Sequence, residues 1–320
     1  MRTGSIHDVR PDAFRYAWDR DAEPALEVES GEDVHMVVRD ASDAQIHEGS
    51  DAGDVLRLDM AHVNPISGPV LVKGARPGDV VEVELREFRP RRWGWTAIIP
   101  GFGLLADEFP EPWLRISHID AEAGRVRFSD TVALPYRPFP GTLGVAPPEP
   151  GPHPIIPPSR WGGNLDIRHL TPGVRLYLPV GVEGALFSLG DTHAAQGDGE
   201  VCGTAVETAM DVVVRLTVRR DVRVRAPQYH VPPGSVAPPP AAGHHVCTGV
   251  GPDLMEATRD AVRAAVEVIG ERHGVDRQEA YALASVACDL RIHEVVDAPN
   301  WVVGCAIPDE ILQARAGDGD

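Results

Sequence analysis

The 320-residue sequence has few cysteines, and they lie far apart. Cys202, Cys247, Cys288 and Cys305 form no C-x-x-C pair, which argues against a zinc knuckle or a redox dithiol. No apolar run approaches the length that crosses a bilayer. The first residues are polar and lack the apolar segment of a signal peptide. We therefore expect a soluble, reduced protein of the cytoplasm.

Basic residues are also scarce. The chain has 30 Lys and Arg residues against 48 Asp and Glu, a formal net charge of −18, and Lys73 is its only lysine. Such a field repels phosphate backbones and anionic lipid surfaces, so we expect neither nucleic acid nor membrane as a partner. The G-x-S-x-G elbow, the S-x-x-K pair and the P-loop are missing too, which argues against the chemistries that depend on them.

Short runs rich in β-branched residues fill the first two-thirds of the chain. Val81, Val83 and Leu85 alternate with glutamates, as in a half-buried strand. The sequence contains 32 Gly and 30 Pro, many of which separate such runs. This pattern predicts a mainly β fold, like a sandwich or a barrel. The predicted strands are 55–63, 69–85, 96–100, 174–180 and 211–220.

After residue 250 the pattern becomes helical. Pro252 suits a first helical turn, apolar residues recur at helical spacing from Leu254 to Ile269, and Gly274 favours a helix end. A second helix is predicted at 276–288, where a capping-box pattern opens it. Strand-like runs follow, so we expect a smaller α+β C-terminal part.

The predicted organisation is a β-rich region at 1–225, which holds most of the active site, and an α+β region at 226–320 packed closely on it. Segments 69–79 and 178–191 both run from an apolar strand through Gly-Ala to Gly-Asp, which suggests duplicated β-units. The proline-rich segment 229–245 is expected to be a linker or a surface loop.

The segment 190–200, GDTHAAQGDGE, concentrates polar groups among glycines. Asp191 and His193 are separated by one residue, so on a strand both side chains point the same way. Asp198 and Glu200 repeat this spacing, and a hairpin would bring the two pairs face to face. Imidazole with carboxylates suits Zn²⁺ or a comparable ion, but a solvated turn explains the same composition.

Two other polar segments are weaker candidates. His62 and Asn64 lie at a strand end, and Asn164 and Asp166 follow a Gly-Gly turn. Each residue also has an ordinary structural explanation, either as a turn or cap residue or as a buried histidine with its hydrogen bonds satisfied.

Two further patterns are considered and disfavoured. His293 to Asp297 resembles H-E-x-x-H, but Asp replaces the second His and the segment is a predicted strand, where i and i+4 lack the helical geometry. Cys202 could be a nucleophile with Glu82 and Lys73 as partners. Nothing in the local spacing supports that set, and a Cys on a strand is usually just buried.

Five separated segments match a known family in the same order. They are HVNPISGPVLVKGARPGDVVEVEL (62–85), WGWTAIIPGFGLLADEF (93–109), GVAPPEPGPHPIIPP with GGNLD (144–166), GDTHAAQGDGEVCGTAVE (190–207) and EAYALASVACDLRIHEVVDAPN (279–300). On these segments the chain resembles the acetamidase/formamidase family. The resemblance implies hydrolysis of a small aliphatic amide to a carboxylate and ammonia, a β-rich fold, a homo-oligomer and a divalent metal ion.

We expect specific roles for the residues that match the family's polar motifs. The expected metal ion is Zn²⁺, with Ca²⁺ as the alternative. A cysteine amidase that uses Cys202 and a non-catalytic, metal-stabilised protein that binds small amides remain as other hypotheses. The expected metal ligands are His193, Asp191, His62 and Asp166; the expected catalytic residues are Glu200, as general base, and Asp198; the expected substrate contacts are Asn64, Gln196 and Asn164.

Overall fold

Strands dominate the described part of the chain. A computed structural model describes residues 6–130, 132–234, 243–275, 277, 280, 284 and 288–312. The strands are β1 Ile6–Asp8, β2 Phe14–Arg15, β3 Leu26–Val28, β4 Glu32–Val38, β5 Ile66–Val72, β6 Val80–Pro90, β7 Trp93–Ile98, β8 Trp113–Asp120, β9 Arg125–Arg127, β10 Ala133–Pro135, β11 Phe139–Gly144, β12 Gly162–Asn164, β13 Arg175–Pro179, β14 Phe187–His193, β15 Met210–Arg219, β16 Gln228–Val231, β17 His244–Gly251, β18 Asp289–Glu294 and β19 Trp301–Pro308. The helices are α1 Ala52–Val55, α2 Leu254–His273 and α3 Asp309–Leu312, with a 3-10 turn at Met60–His62.

The strands form three sheets. A nine-stranded sheet has the order β1-β4-β15-β6-β13-β16-β17-β19-β18. A six-stranded sheet has the order β12-β11-β14-β5-β2, with β3 paired to β5, and β10-β9-β8-β7 form a four-stranded sheet. The predicted mainly β fold is confirmed. No helix among the described residues is long and apolar enough to cross a membrane.

The main core contains side chains from the nine-stranded and six-stranded sheets. Val83 of β6 and Val214 of β15 belong to the same apolar cluster as Phe187 of β14 and Val70 of β5. All four are fully buried, and burying each such side chain contributes about 1.5–3 kcal/mol. The alternation that predicted the β6 strand therefore marks the face that packs in this core.

The six-stranded sheet positions the polar end of β14. All seven residues of β14 are buried, and His193 at its end lies opposite Phe139 of β11. On the other side of β11, Thr142 lies opposite Asn164 of β12. These pairings bring the ends of separate sequence motifs to one place in the fold.

The two segments that resemble each other in sequence also contact each other. Segment 69–79 leads from β5 to β6 and segment 178–191 leads from β13 to β14, so each connects the two large sheets. The Val72 N–H donates to the Gly184 carbonyl at 2.9 Å, and the Gly184 N–H donates to the Ala75 carbonyl at 2.9 Å. These bonds fix the chain just before β14, the strand whose far end carries the polar residues.

The first predicted C-terminal helix is confirmed as α2. The Asp253 side chain caps it by accepting from the Glu256 N–H at 2.8 Å. Gly274 ends it with φ 64°, a left-handed conformation that favours glycine. The second helix, predicted at 276–288, lies largely outside the described residues.

Two other predictions need correction. The strand predicted at 55–63 is wrong, because Asp51 and Asp54 form a capping box that starts α1 and Asp59 caps the 3-10 turn. The loop or linker predicted at 229–245 is wrong at both ends, since β16 and β17 include residues 229–231 and 244–245. Residues 235–242 of that segment lie outside the described part of the chain.

Strands from both sides of residue 225 lie in the nine-stranded sheet, since β15 precedes this position and β16 to β19 follow it. The division into regions 1–225 and 226–320 stays a prediction.

Gly249 lies where α2 crosses β17. A Cβ at this position would collide with the Ala257 carbonyl oxygen and lie 2.8 Å from the Ala261 nitrogen. We expect Gly249→Ala to lower the free energy of unfolding by about 1–3 kcal/mol or more, as measured by urea denaturation. Gly251→Ala on the same strand is the control, because its Cβ would meet no atom within 4 Å. Equal stability of the two variants would contradict this packing of α2.

Candidate active site

The end of β14 places an aspartate and a histidine side by side. Asp191 and His193 lie on β14 with one residue between them. The Nε2 atom of His193 lies 3.2 Å from Oδ1 of Asp191. Both residues are buried, with exposed fractions of 0% for His193 and 4% for Asp191. The structure thus brings together the pair that the sequence suggested.

Glu207 is a second carboxylate at the same nitrogen. It forms an isolated bridge with His193, and its Oε2 lies 2.9 Å from Nε2 of His193. Its other oxygen accepts from the Ala205 N–H at 2.7 Å. Two buried carboxylates therefore converge on a single ring nitrogen.

Gln196 determines which nitrogen of His193 carries a proton. Nδ1 of His193 donates to Oε1 of Gln196 at 2.9 Å, and Nε2 of Gln196 donates to the Asp166 carbonyl oxygen at 2.8 Å. In a neutral ring, Nε2 of His193 then presents a lone pair to Asp191 and Glu207. Three electron-rich atoms this close require a proton or a cation between them.

Asp166 completes this group from the loop after β12. Its Oδ1 lies 3.8 Å from Nδ1 of His193, and neither carboxylate oxygen accepts a hydrogen bond within the described part of the chain. Gly141 of β11 leaves room for the group. A Cβ there would collide with Asp166 Oδ1 and lie 2.7 Å from His193 Cε1 and 2.9 Å from Asp191 Oδ2.

Three more buried carboxyl groups border Asp166. One oxygen each of Asp166, Glu200 and Asp297 lies within 4.8 Å of the others. Nδ2 of Asn164 donates to Oδ2 of Asp297 at 2.6 Å, and the Asp297 N–H donates to Oε1 of Glu294 at 2.5 Å. Glu200 is also grouped with His193 and Glu207 at similar spacing, so it borders both parts of the site.

Burial and mutual repulsion raise the pKa of these carboxyl groups. Burial and the adjacent Asp191 charge raise the pKa of Asp166 to about 6. Burial raises the pKa of Glu207 to about 8, and burial with repulsion from Asp166 raises the pKa of Glu200 well above its usual range. Burial alone would lower the pKa of His193, but Glu207 and Asp191 hold it well above 6.5. The group therefore favours bound positive charge, either protons or a metal ion.

The backbone is strained at the same place. Asn64, Asp166, Asp191 and Glu200 have φ values of 48°, 46°, 53° and 44°, in the left-handed region that favours glycine. Such conformations cost on the order of 1–3 kcal/mol each and cluster at functional sites, where the surrounding structure holds them. Each strained residue here contributes a polar side chain to the site.

The two predicted asparagine contacts lie beside the carboxylates. Nδ2 of Asn64 donates to Oδ2 of Asp191 at a long 3.5 Å. Asn164 uses both of its polar atoms, because Thr142 donates to its oxygen and its nitrogen donates to Asp297. Asn64 therefore makes the looser contact of the two.

His62 lies apart from this group. Its side chain is 56% exposed, and its Nδ1 lies 2.7 Å from Oδ2 of Asp59. Its ring packs edge-on against the Tyr16 ring, with 5.0 Å between the ring centroids. It belongs to none of the potential ligand groups that the described residues form. His62 is therefore left out of the ligand set proposed below.

The suggested hairpin between the two polar pairs is not formed. His193 bridges Glu207 instead, and Gly199 bridges Glu294. Asp198 points away from Glu200 toward two other histidines: its Oδ1 lies 3.5 Å from Nε2 of His169 and 3.7 Å from Nδ1 of His293. Asp198 and Glu200 therefore belong to different clusters.

The residues of the cysteine hypothesis have separate partners. Sγ of Cys202 lies 3.4 Å from the Thr204 carbonyl oxygen. Lys73 pairs with Glu29 at 3.2 Å, and Glu82 pairs with arginines of the nine-stranded sheet. The structure does not assemble a Glu-Lys-Cys set.

A cavity of about 430 Å³ opens next to Glu200 and Gln196. Phe128, Leu134 and Phe139 form apolar parts of its wall. A cleft with apolar walls and a few convergent polar groups is the usual form of a small-molecule site.

Several residues of the site escaped sequence reasoning. Glu207 is the single acid in the run CGTAVET. An isolated acid in such a run is the one sequence feature that could have indicated a buried, functional carboxylate. The sequence presents Glu294 and Asp297 only as the second and last positions of an incomplete H-E-x-x-H motif. They approach each other instead because Oε1 of Glu294 caps the turn after β18.

Comparison with known proteins finds one family. The family model of the acetamidase/formamidase family matches residues 7–153 and 151–314. A formamidase from Methylophilus methylotrophus is 26% identical over 92% of this chain and 88% of its own.

Solved structures agree as well. An acetamidase from Yersinia enterocolitica has 30% identity and a TM-score of 0.85, covering 98% of this chain and 94% of its own. An acetamidase from Bacillus halodurans has 28% identity and a TM-score of 0.86, covering 97% and 100%. The chain belongs to the acetamidase/formamidase family and is a hydrolase of linear amide C–N bonds.

Proposed function

We propose that the protein hydrolyses a small aliphatic amide of the formamide and acetamide class, with a divalent metal ion at His193. The observation that carries this proposal is the convergence of Asp191 and Glu207 on Nε2 of His193, at 3.2 and 2.9 Å. The names of the related formamidase and acetamidases support the substrate class.

The residues present fit a metal ion. Asp191, His193 and Glu207 supply one imidazole and two carboxylates, and Asp166 adds a buried carboxylate that accepts no hydrogen bond from the described residues. Mixed nitrogen and oxygen donors suit Zn²⁺ better than Ca²⁺, which prefers six to eight oxygen ligands. Gln196 orients His193 as an outer partner, which is a usual feature of metal-binding histidines.

When bound, the ion would polarise the amide carbonyl and lower the pKa of water to roughly 7. Glu200 is the proposed general base: it takes a proton from the attacking water and returns it to the departing amine. Burial and the nearby Asp166 charge raise the pKa of Glu200 above its usual range, which makes its carboxylate a stronger proton acceptor. Its position beside both carboxylate groups and the cavity supports this role.

Substrate orientation is assigned to Asn64. Gln196 and Asn164, the other expected contacts, use their polar atoms to hold His193, the Asp166 backbone and Asp297. Among the described residues, the Asn64 side chain has only its long contact with Asp191 to give up. The apolar walls of the cavity beside Glu200 would accept a short aliphatic group.

Three further properties complete the proposal. The protein acts in the cytoplasm, forms a homo-oligomer as the resemblance implies, and does not use Cys202 as a nucleophile.

We expect His193→Ala to lose the metal ion of this site and to reduce kcat/KM by about 100-fold or more, since even outer-shell changes at metal sites cost 10–100-fold. Metal content and ammonia release are measured on one preparation, with formamide and acetamide as substrates. His62→Ala, a change at an exposed histidine, should leave both values unchanged. Full activity in a metal-free sample of the wild type would rule out the metal mechanism.

Glu200→Gln should lower kcat by about 10²–10⁴-fold, because it removes the proton acceptor. Bound metal should remain at the wild-type level if Glu200 acts as the base. Cys202→Ala is the matched control on the same loop and should retain wild-type kcat. The cysteine hypothesis would gain if Cys202→Ala lost activity while Glu200→Gln kept it.

Gly141→Ala should lower metal occupancy and kcat together, because the added methyl group occupies the space between Asp166, His193 and Asp191. Metal analysis after dialysis and steady-state kinetics measure the two effects. Gly197→Ala is the control, since its Cβ would meet no atom within 4 Å. Wild-type metal content and activity in Gly141→Ala would mean that the ion lies elsewhere.

A further inference from the structure

A second buried cluster of ligand-type side chains lies beside the proposed active site. It consists of His169, Asp198 and His293, and one ligand atom from each lies within 4.8 Å of the other two. Both histidines are fully buried, whereas the Asp198 side chain is 36% exposed. None of these three side chains belongs to the group around His193.

The two clusters are built from the same three chain segments. In each of 166–169, 198–200 and 293–297, one end supplies a carboxylate to the first site and the other end supplies a residue to the second. The residues of the first site are Asp166, Glu200 and Asp297, and those of the second are His169, Asp198 and His293. An ion in the second cluster would therefore tie together the segments that support the first.

Unpartnered polar atoms point to a bound species at the second cluster. Among the described residues, the buried Nδ1 of His293, which lies 3.7 Å from Oδ1 of Asp198, has no hydrogen-bond partner, and neither does the buried Nδ1 of His169. His244 has two such nitrogens, and its ring lies 6.0 Å from that of His169. Buried polar groups are nearly always satisfied, so several unsatisfied ones together indicate an ion or water that completes them.

The surroundings of His293 suit a metal ligand. The Tyr229 hydroxyl lies 3.2 Å from Nε2 of His293 and can accept its proton, which leaves the Nδ1 lone pair directed toward Asp198 at 3.7 Å. Such an outer hydrogen bond fixes the tautomer and orientation of ligating histidines.

Arg291 competes for the same site. Its NH1 lies 3.1 Å from Nε2 of His169, so an ion bound to this nitrogen must displace the guanidinium. Arg291 is only partly buried, so its side chain borders solvent.

We propose that His169, Asp198 and His293 form a second binding site for a divalent first-row transition-metal ion such as Zn²⁺. Two imidazoles and one carboxylate are a donor set that this class of ion prefers. Asp198 lines the same cavity as Glu200, so the ion would border the cavity and hold the loop of Gln196 and Glu200. The proposal does not depend on a metal at His193.

The test measures Zn²⁺ binding by equilibrium dialysis of metal-stripped protein. Wild type should bind one equivalent more than His293→Gln and one more than Asp198→Asn. In a background of His193→Ala with Glu207→Gln, which disables the first site, one equivalent should remain and should disappear when His293→Gln is added. Co²⁺ in that background should show the visible absorption of a nitrogen-ligated ion.

His245→Gln is the matched control. Nε2 of His245 lies 2.9 Å from Oε1 of Gln228, outside the cluster, so this variant should keep the wild-type stoichiometry. Circular dichroism and thermal midpoints in metal-free buffer show whether each variant folds, and Asp198→Asn serves if His293→Gln does not. Equal Zn²⁺ stoichiometry in wild type and folded Asp198→Asn, or no bound Zn²⁺ in the first-site background, would overturn the proposal.

Discussion

The burial of like charge around a single imidazole is the constraint on which the rest of the site depends. Acidic side chains withdrawn from water repel one another and hold protons more tightly than usual, as the raised pKa values of Asp166 and Glu207 show. Without a compensating positive charge, burying this group of carboxylates would cost far more free energy than the net stability of a domain. The proposed divalent ion would remove this cost and supply a reactive centre. The buried acids are Asp166, Asp191, Glu200, Glu207, Glu294 and Asp297.

The β scaffold makes this arrangement possible by holding separate segments rigidly. β14 is paired on both sides and fully buried, so the residues at its end cannot move apart to relieve repulsion. Gly141 admits three side chains where any Cβ would intrude. The left-handed backbones of Asp166, Asp191 and Glu200 are tolerated because the well-packed sheets outweigh their local cost.

Much of the fold was predictable because strand alternation and helix caps are local signals. β6, β13, β15 and α2 follow directly from apolar spacing and from Gly and Pro positions. The exposed turn at 55–63 was mistaken for a strand, since apolar content there does not reflect burial: Leu56 is 65% exposed. Asp191 and His193 were found because their proximity is encoded in one strand. Glu207 and Asp297 were missed because only tertiary pairing brings them to the site.

The central claim is that a metal ion, rather than a proton, occupies the space between Nε2 of His193 and the carboxylates of Asp191 and Glu207. Anomalous diffraction at the zinc edge, from crystals of wild-type protein grown with Zn²⁺, tests it most directly. The account predicts an anomalous peak roughly 2.0–2.2 Å from Nε2 of His193 and from at least one of the two carboxylates. Zinc-loaded crystals with no peak there, and with His193 hydrogen-bonded directly to both carboxylates, would contradict it.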